Sequence, residues 1–383
     1  MAKEITMCTN FLLAVPAVPA SSNSVQYLSA RCMELTGTLA SNLYRVPAQQ
    51  KFPLFPNRSH SWTGTYGFVG IADPQAMPEF ACFMDGINEV GLSCASLWLP
   101  GTQYATAHRG MHDALEFSDL GAWAMSQFSS VADLLQALPN IEIVGPASTA
   151  KTYLPLHFII TDSSGASVVI EFIGGATNVY PPDYDNGATG DGVLTNAPPY
   201  DWQRTNLANY AHLKVEGTGT STSANAGPPV GSGLLGLPGD IMSASRFVKA
   251  ATFRKGYHLL PSDGAGWLPT APKAGATDSS QTIVNVAMQM VQMIQATPYG
   301  SALIEAKPPS IHPTLGDWTM WQVVRDHSNF AYYFSSAFNS SLQLVDLTTV
   351  DFGGGSVKPK EFKSIPIMPG SSTWYTDVSS GFA

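Results

Sequence analysis

Through about residue 100 the chain is a run of short segments, 10–15, 25–32, 66–72, 81–85 and 91–97, each rich in apolar, aromatic and β-branched residues. Gly, Pro, Asn and Ser separate them, so the pattern predicts strands joined by tight turns. The pattern then changes to predict helices over 119–127 and 130–138, with Ser130 as an N-cap and Leu134, Leu135 and Leu138 on one face. Strands are predicted again at 157–161 and 167–172, separated by the turn Asp162-Ser163-Ser164-Gly165. Segments 201–213 and 241–254 read as helices, and between them 217–233 is a low-complexity loop without periodicity. The clearest amphipathic helix is 281–295, where Ile283, Val284, Val286, Met290, Val291, Met293 and Ile294 supply the apolar positions. Its methionines are assigned to the core. Finally 319–326, 330–335 and 342–347 alternate as antiparallel strands do. With no internal repeat and no clean linker, strands, helices and strands are expected to share one core.

Composition narrows the class. Charged residues make up 12% of the 383, about half the usual quarter, and 44% of residues are apolar, with eight Trp. That excludes a disordered chain or a coiled coil, and 34 Gly with 28 Pro point to a turn-rich, β-rich globular protein. The net charge of −9 comes without any Lys or Arg run that could track phosphates, so nucleic acid is not an expected partner. No apolar stretch reaches the roughly 20 residues that span a bilayer, so no membrane partner is expected either. Residues 11–20 look superficially like the apolar part of a secretory signal. Lys3 is offset by Glu4, however, and Pro16 and Pro19 interrupt the stretch, so it is not read as one and the compartment stays open. Cys8, Cys32, Cys82 and Cys94 are too few and too irregular for a disulfide framework or a zinc pair.

There is no GxSxG elbow, P-loop, HExxH or EF-hand loop. His108 and His112 stand at i, i+4, a spacing that seats a metal on a helix, but Gly110 between them favours a loop with incidental histidines. No metal and no cofactor is expected. Glu116 and Asp119 read as dipole partners at a helix start rather than as an acid–base pair. The remaining chemistry lies in Cys8-Thr9-Asn10, which follows residues 1–7 and precedes a predicted strand. Removal of 1–7 gives Cys8 a free α-amine with an ordinary pKa of about 8, suited to general-base work beside its own thiol. The thiolate also needs positive charge nearby. By position alone the signal is weak, since a cysteine near a terminus is usually a small buried apolar residue.

The rest of the chain resembles the choloylglycine hydrolase and penicillin V acylase family of N-terminal-nucleophile hydrolases. Cys8-Thr9 is similar to its nucleophile start, Arg31-Cys32-Met33-Glu34 to an R-x-M-E second strand, and Asp85 to Leu92 to its D-G-x-N-E-x-G-L hairpin. Asn196-Ala197-Pro198 with Asp201-Trp202-Gln203, Asp240 with Ser245-Arg246-Phe247, and Trp318-Thr319-Met320-Trp321 leading to Tyr332-Tyr333-Phe334 follow in family order. The resemblance implies that Cys8 attacks an amide carbonyl and that Arg31 orients and stabilises its thiolate. Glu34 would receive the α-ammonium, Asn196 would donate to the oxyanion, and Arg246 would complete the charge network. Trp98 stands where bile-salt hydrolases carry an oxyanion-assisting Asn, so a backbone N–H would have to supply the second donor. Its indole is expected as a substrate-binding wall for an apolar acyl group. The connection from Cys8 to Arg31 is long for the family, and Leu35 follows Glu34 where some acylases carry Trp.

The implied fold is α+β, a four-layer αββα sandwich with two mainly antiparallel sheets, in which residues 8–383 form one domain behind a leader at 1–7 that is removed autoproteolytically. The implied activity is hydrolysis of a linear, non-peptide amide, with a small-molecule N-acyl amide such as penicillin V or an N-acyl homoserine lactone as substrate and a homotetramer as the assembly. Conjugated bile-salt hydrolysis is the alternative, and a fold relative that binds apolar amides without turnover is the rival of another class.

Overall fold

The computed structural model describes residues 8–16, 25–35, 39–54, 60–77, 81–106, 114–146, 153–182, 192–214, 233–257, 279–296 and 317–367. The leader at 1–7, His108 and His112, and nearly all of the low-complexity loop lie outside them.

The first strands are β1 (Cys8–Pro16), β2 (Val25–Leu35), β3 (Asn42–Val46), a short ladder of β4 (Lys51–Phe52) with β5 (Trp62–Thr63), β6 (Phe68–Ala72), β7 (Asp85–Asn88) and β8 (Ser93–Trp98). A small parallel pair, β9 (Ala114–Glu116) and β10 (Glu142–Val144), brackets α1 (Leu120–Gln127) and α2 (Val131–Ala137). The middle of the chain gives β11 (Leu156–Thr161), β12 (Ser167–Ile173), β13 (Ala176–Tyr180), α3 (Tyr200–Leu207), α4 (Ser243–Tyr257) and α5 (Ser279–Ile294). It ends in β14 (Trp318–Asp326), β15 (Ala331–Ser336), β16 (Asn339–Asp346) and β17 (Lys363–Pro366).

Two antiparallel sheets dominate. The five-stranded sheet runs β1-β2-β14-β15-β16, and the eight-stranded sheet runs β13-β12-β11-β8-β7-β6-β3-β17. Helices α4 and α5 cover the outer face of the smaller sheet against β1, β2 and β14, and α1 lies on the outer face of the larger sheet against β7 and β8. The order of layers is therefore helix, sheet, sheet, helix, the αββα arrangement. A strand in the middle of such a stack is buried on both faces, which is why nearly the whole of β2 is inaccessible. The pleat then divides its residues: Arg31 and Met33 face the other sheet, while Cys32 and Glu34 face the helices.

Most predicted elements are present. Ser130 caps α2 by accepting from Asp133 N, with Leu134 and Leu138 buried. Met288 and Met290 of α5 are core residues, but Met293 of the same helix is exposed. The segment 201–213 is helical only to Leu207, followed by a 3-10 turn at Ala208–Tyr210. Asp119 does stand at the N-terminus of α1, although its side chain makes no capping bond there. Residues 81–84, expected as a strand, lie outside the ladder, which begins at Asp85. Ala81, Cys82 and Phe83 are apolar because they pack into the outer core, not because they alternate along a strand. The hairpin that follows needs a glycine: Gly91 has φ +88°, and a Cβ there would stand 2.8 Å from the carbonyl of His327.

Candidate active site

Cys8 opens β1 opposite Met33 in register, so its side chain points between the sheets, where it is buried. Its Sγ lies 3.5 Å from Met33 Sδ and 3.7 Å from Arg31 Nη2. Arg31 crosses from the smaller sheet to the larger one. Its Nη2 donates to Ser96 O at 2.5 Å, its Nη1 donates to Met84 O, and the same Nη1 pairs with Asp85 Oδ2 at 3.3 Å. The guanidinium also sits 5.1 Å from the centre of the Trp321 ring. These carbonyls, the ring and the carboxylate fix the guanidinium against the sulfur.

The main-chain side of Cys8 is held as firmly. Its N–H donates to Asn196 Oδ1 at 2.6 Å, and Arg246 Nη2 donates to the same oxygen at 2.8 Å. Arg246, reaching down from α4, also donates from Nη1 to Cys8 O at 2.6 Å and to Thr9 Oγ1, and from Nε to Ile241 O. Asn196 Nδ2 donates to Trp98 O at 2.7 Å. With two donors facing Oδ1 and an acceptor facing Nδ2, the amide of Asn196 has only one orientation that satisfies its surroundings. Its backbone is clamped by Ser243 Oγ on α4 and Gln203 Nε2 on α3, and residue 194 bridges to Asn10 beside β1.

Glu34 is on the helix side of β2. One oxygen accepts from Thr319 Oγ1 at 2.7 Å, whereas Oε2 is buried with no hydrogen-bond partner among the described residues. The α-ammonium that Glu34 is expected to receive exists only once 1–7 are removed; in the chain that carries them, Cys8 N is a peptide N–H whose one hydrogen goes to Asn196. Burial lifts the Glu34 carboxyl above its usual range, opposed chiefly by the charge of Arg246. Burial likewise pushes the Cys8 thiol up, Arg31 pulls it down, and the charge of Glu34 adds to the rise.

Trp98 needs a correction. Along β8 Ala95 and Leu97 join the Cys8 core, whereas Cys94 and Trp98 belong with the outer one, so the indole packs on the far face of the larger sheet. What Trp98 offers the site is its carbonyl, and the expected aromatic wall beside Cys8 is not formed by this ring. Leu99 N–H donates to Pro155 O and so is not a spare oxyanion donor.

Three groups escaped the sequence reading. In sequence Asp85 is one residue of a hairpin motif, and Arg325 one polar residue in an alternating strand. Both are buried, and Arg325 donates to both carboxylate oxygens of Asp85. The third is a buried pair: His157 Nδ1 lies 2.8 Å from Glu171 Oε1, while its Nε2 lies 2.9 Å from the carbonyl of Thr195, next to Asn196. Among the described residues no group of His, Cys, Asp and Glu is arranged to hold a metal ion, and no helix is long and apolar enough to cross a membrane.

The chain matches the linear amide C–N hydrolases of the choloylglycine hydrolase family over residues 17–263, a span that holds Arg31, Glu34, Trp98, Asn196 and Arg246 and begins after Cys8. Among its relatives is the penicillin V acylase of Pectobacterium atrosepticum, 26% identical with 98% of this chain and 89% of that protein covered. The bile salt hydrolase/transferase of Clostridium perfringens is 31% identical over 60% of this chain and 68% of its own. In structure, a variant of the conjugated bile acid hydrolase from Clostridium perfringens superposes with a TM-score of 0.71 at 22% identity, covering 97% of this chain and 99% of the other. Penicillin V acylase from Agrobacterium tumefaciens superposes with a TM-score of 0.65 at 20% identity, covering 94% and 98%. The match over most of its length, on an αββα fold shared with both kinds of enzyme, makes the chain a member of the choloylglycine hydrolase family of linear amide C–N hydrolases.

Proposed function

We propose that Cys8, freed of residues 1–7, is the nucleophile of this amide hydrolase and that its substrate is a penicillin V or N-acyl homoserine lactone type amide with an apolar acyl group. The observation that carries the reading is the pair of contacts on one residue: Sγ 3.7 Å from Arg31, and N 2.6 Å from an Asn196 oxygen that Arg246 also holds.

The thiol proton passes to the α-amine as sulfur bonds to the amide carbon. The oxyanion takes the Asn196 Nδ2 hydrogen that Trp98 O does not use. Collapse breaks the C–N bond, the α-ammonium protonates the departing amine, and water activated by the same α-amine then cleaves the thioester. The free ammonium has three hydrogens where the peptide had one. Glu34 Oε2, unpartnered and nearby, is the acceptor for one of them, so the role expected of Glu34 belongs to the processed chain.

Likeness along 98% of the chain to a penicillin V acylase supports the acyl preference, while bile-salt hydrolysis is supported by higher identity over a shorter span. Residues 8–383 are taken as one domain and the assembly as a homotetramer. Intact-mass and N-terminal sequencing, followed by assays with penicillin V, N-acyl homoserine lactones and glycocholate, test the reading. A chain beginning at Cys8 with highest kcat/KM on the first two is expected. A chain retaining Met1 that still hydrolyses overturns the nucleophile, and preference for glycocholate overturns the acyl assignment.

A further inference from the structure

The buried interior next to Cys8 holds an uneven set of charges: Arg31, Arg246 and Arg325 against Asp85 and Glu34, all inaccessible to solvent. The carboxylate of Asp85 is shared by two guanidinium groups, and unequally. Arg325 takes both its oxygens, from Nε to Oδ1 at 3.0 Å and from Nη2 to Oδ2, and Tyr332 O–H adds a bond to Oδ1 at 2.8 Å. Arg31 reaches only Oδ2, at 3.3 Å. Arg325 is itself held in place, its Nη1 donating to Asn10 Oδ1 at 3.0 Å and to Ser29 Oγ at 2.7 Å.

We propose that Arg325 is a positioning residue for the nucleophile: by occupying Asp85 from the far side it leaves the charge of Arg31 only partly compensated and directed at Cys8 Sγ. The inference rests on the reading of Cys8 as nucleophile and concerns what makes its thiolate accessible. A bidentate partner claims most of a carboxylate's charge, and a guanidinium so displaced looks for another anion. Cys8 Sγ, 3.7 Å away, is the group that can supply that anion as a thiolate. The charged groups acting on that sulfur are the α-ammonium of Cys8 itself in the processed chain, Arg31 and Glu34 from β2 and Arg246 from α4, with Asp85 of β7 and Arg325 of β14 acting through Arg31. Burial, with the charge of Glu34 added, lifts the thiol, and Arg31 is the largest opposing influence, so any change in what Arg31 has to spare is read at Cys8.

The test is the pH dependence of iodoacetamide alkylation of the purified protein, followed at the Cys8 peptide by mass spectrometry. Arg325→Met returns Asp85 to Arg31 and should move the Cys8 profile up by about one pH unit, which makes alkylation about tenfold slower on the acidic limb. The double variant Arg325→Met/Asp85→Asn removes a cation and an anion together, keeps the buried charge balance and frees Arg31 again, so its profile should return to the wild-type position or below. An unchanged profile in folded Arg325→Met overturns the proposal. So does a double variant shifted upward by a unit, and this arm decides the matter even where the single variant does not fold. Failure of the Cys8 reading looks different: wild-type Cys8 resists iodoacetamide at every pH while hydrolysis proceeds.

Discussion

The two faces of the larger sheet are filled by opposite means. Its outer face, against α1 and α2, is aromatic and aliphatic: Phe68 meets Phe83 edge-on at 5.1 Å, Tyr104 stacks on Phe117 at 4.7 Å, and Phe158 meets Phe172 at 6.2 Å. Its inner face, toward Cys8, carries Asp85, which Arg31, Arg325 and Tyr332 of the smaller sheet meet in one hydrogen-bonded group between the sheets. Apolar contacts alone would hold two sheets together at least as well, since a buried ion network repays little more than its desolvation and often less than apolar side chains of equal volume. Stability therefore resides mainly outside and the proposed chemistry inside.

Two substitutions separate these roles. Cys8→Ser changes one atom of the inner layer and should lower kcat/KM by about a thousandfold or more while leaving the thermal midpoint near wild type. Serine at Cys32, Cys82 or Cys94 should retain hydrolysis, and assays of the four variants side by side give the answer. Near-normal turnover of the Cys8 variant would remove the inner layer's claim to chemistry. In the outer layer, Phe158→Ala opens a cavity in a core where the ring is almost fully buried and should destabilise by about 3–5 kcal/mol, read by urea unfolding. Its kcat per folded molecule should stay within about twofold, because Phe158 faces away from Cys8.

The inner layer should also be the acid-sensitive one. His327 donates from Nδ1 to Gly91 O at 2.8 Å, and its Nε2 lies 2.7 Å from Ser29 Oγ, whose hydroxyl a neutral ring accepts. Burial pushes its pKa down to about 4, the Gly91 carbonyl works against this, and Arg325 lowers it further. The unfolded chain takes up the proton near pH 6.5 and the folded one only near 4, so this contribution is complete above about 6.5 and is lost as pH falls through that window. It amounts to about 3 kcal/mol. Urea midpoints at pH 7 and pH 4 measure it, and His327→Gln should flatten the difference.

The outer layer was the more legible in sequence. Its strands β8, β11 and β12 and the capped helix α2 show themselves through apolar runs and turn residues, signals that are local. What was missed there is short or peripheral: β3, β4, β5, β9, β10, β13 and β17 are two to five residues long, and β17 is exposed along its length. In the inner layer the individual residues of the family pattern were legible, and Cys8, Arg31, Asn196 and Arg246 are brought together as that pattern implies. Their bonding was not. Asp85 and Arg325 lie 240 positions apart, and no spacing rule connects an acid opening one strand to a base near the end of another. The side-chain direction of Trp98 depends on the pleat at the last residue of β8, where one step in register exchanges inner for outer face.

The smallest expected effect concerns how far the inner layer's precision depends on groups that never touch Cys8. Both ring nitrogens of His157 face acceptors, Glu171 Oε1 and the Thr195 carbonyl, so the pair is satisfied only when it holds two protons, one on each side of the ring. Both Glu171 oxygens also accept from Tyr200 N, which ties the start of α3 to the segment that carries Asn196. In Glu171→Gln the side-chain amide supplies a hydrogen to Nδ1, Nε2 still donates to Thr195, and the remaining oxygen still accepts from Tyr200. The grip on Asn196 survives without a buried charge, so kcat should fall by less than about tenfold with KM unchanged. His157→Leu instead removes the buried partner of Glu171 Oε1 and leaves the Thr195 carbonyl without its ring N–H, which should cost about 3–5 kcal/mol in stability. A Glu171→Gln variant as inactive as Asn196→Ala would show that the charge on this pair, rather than its geometry, is what the site uses.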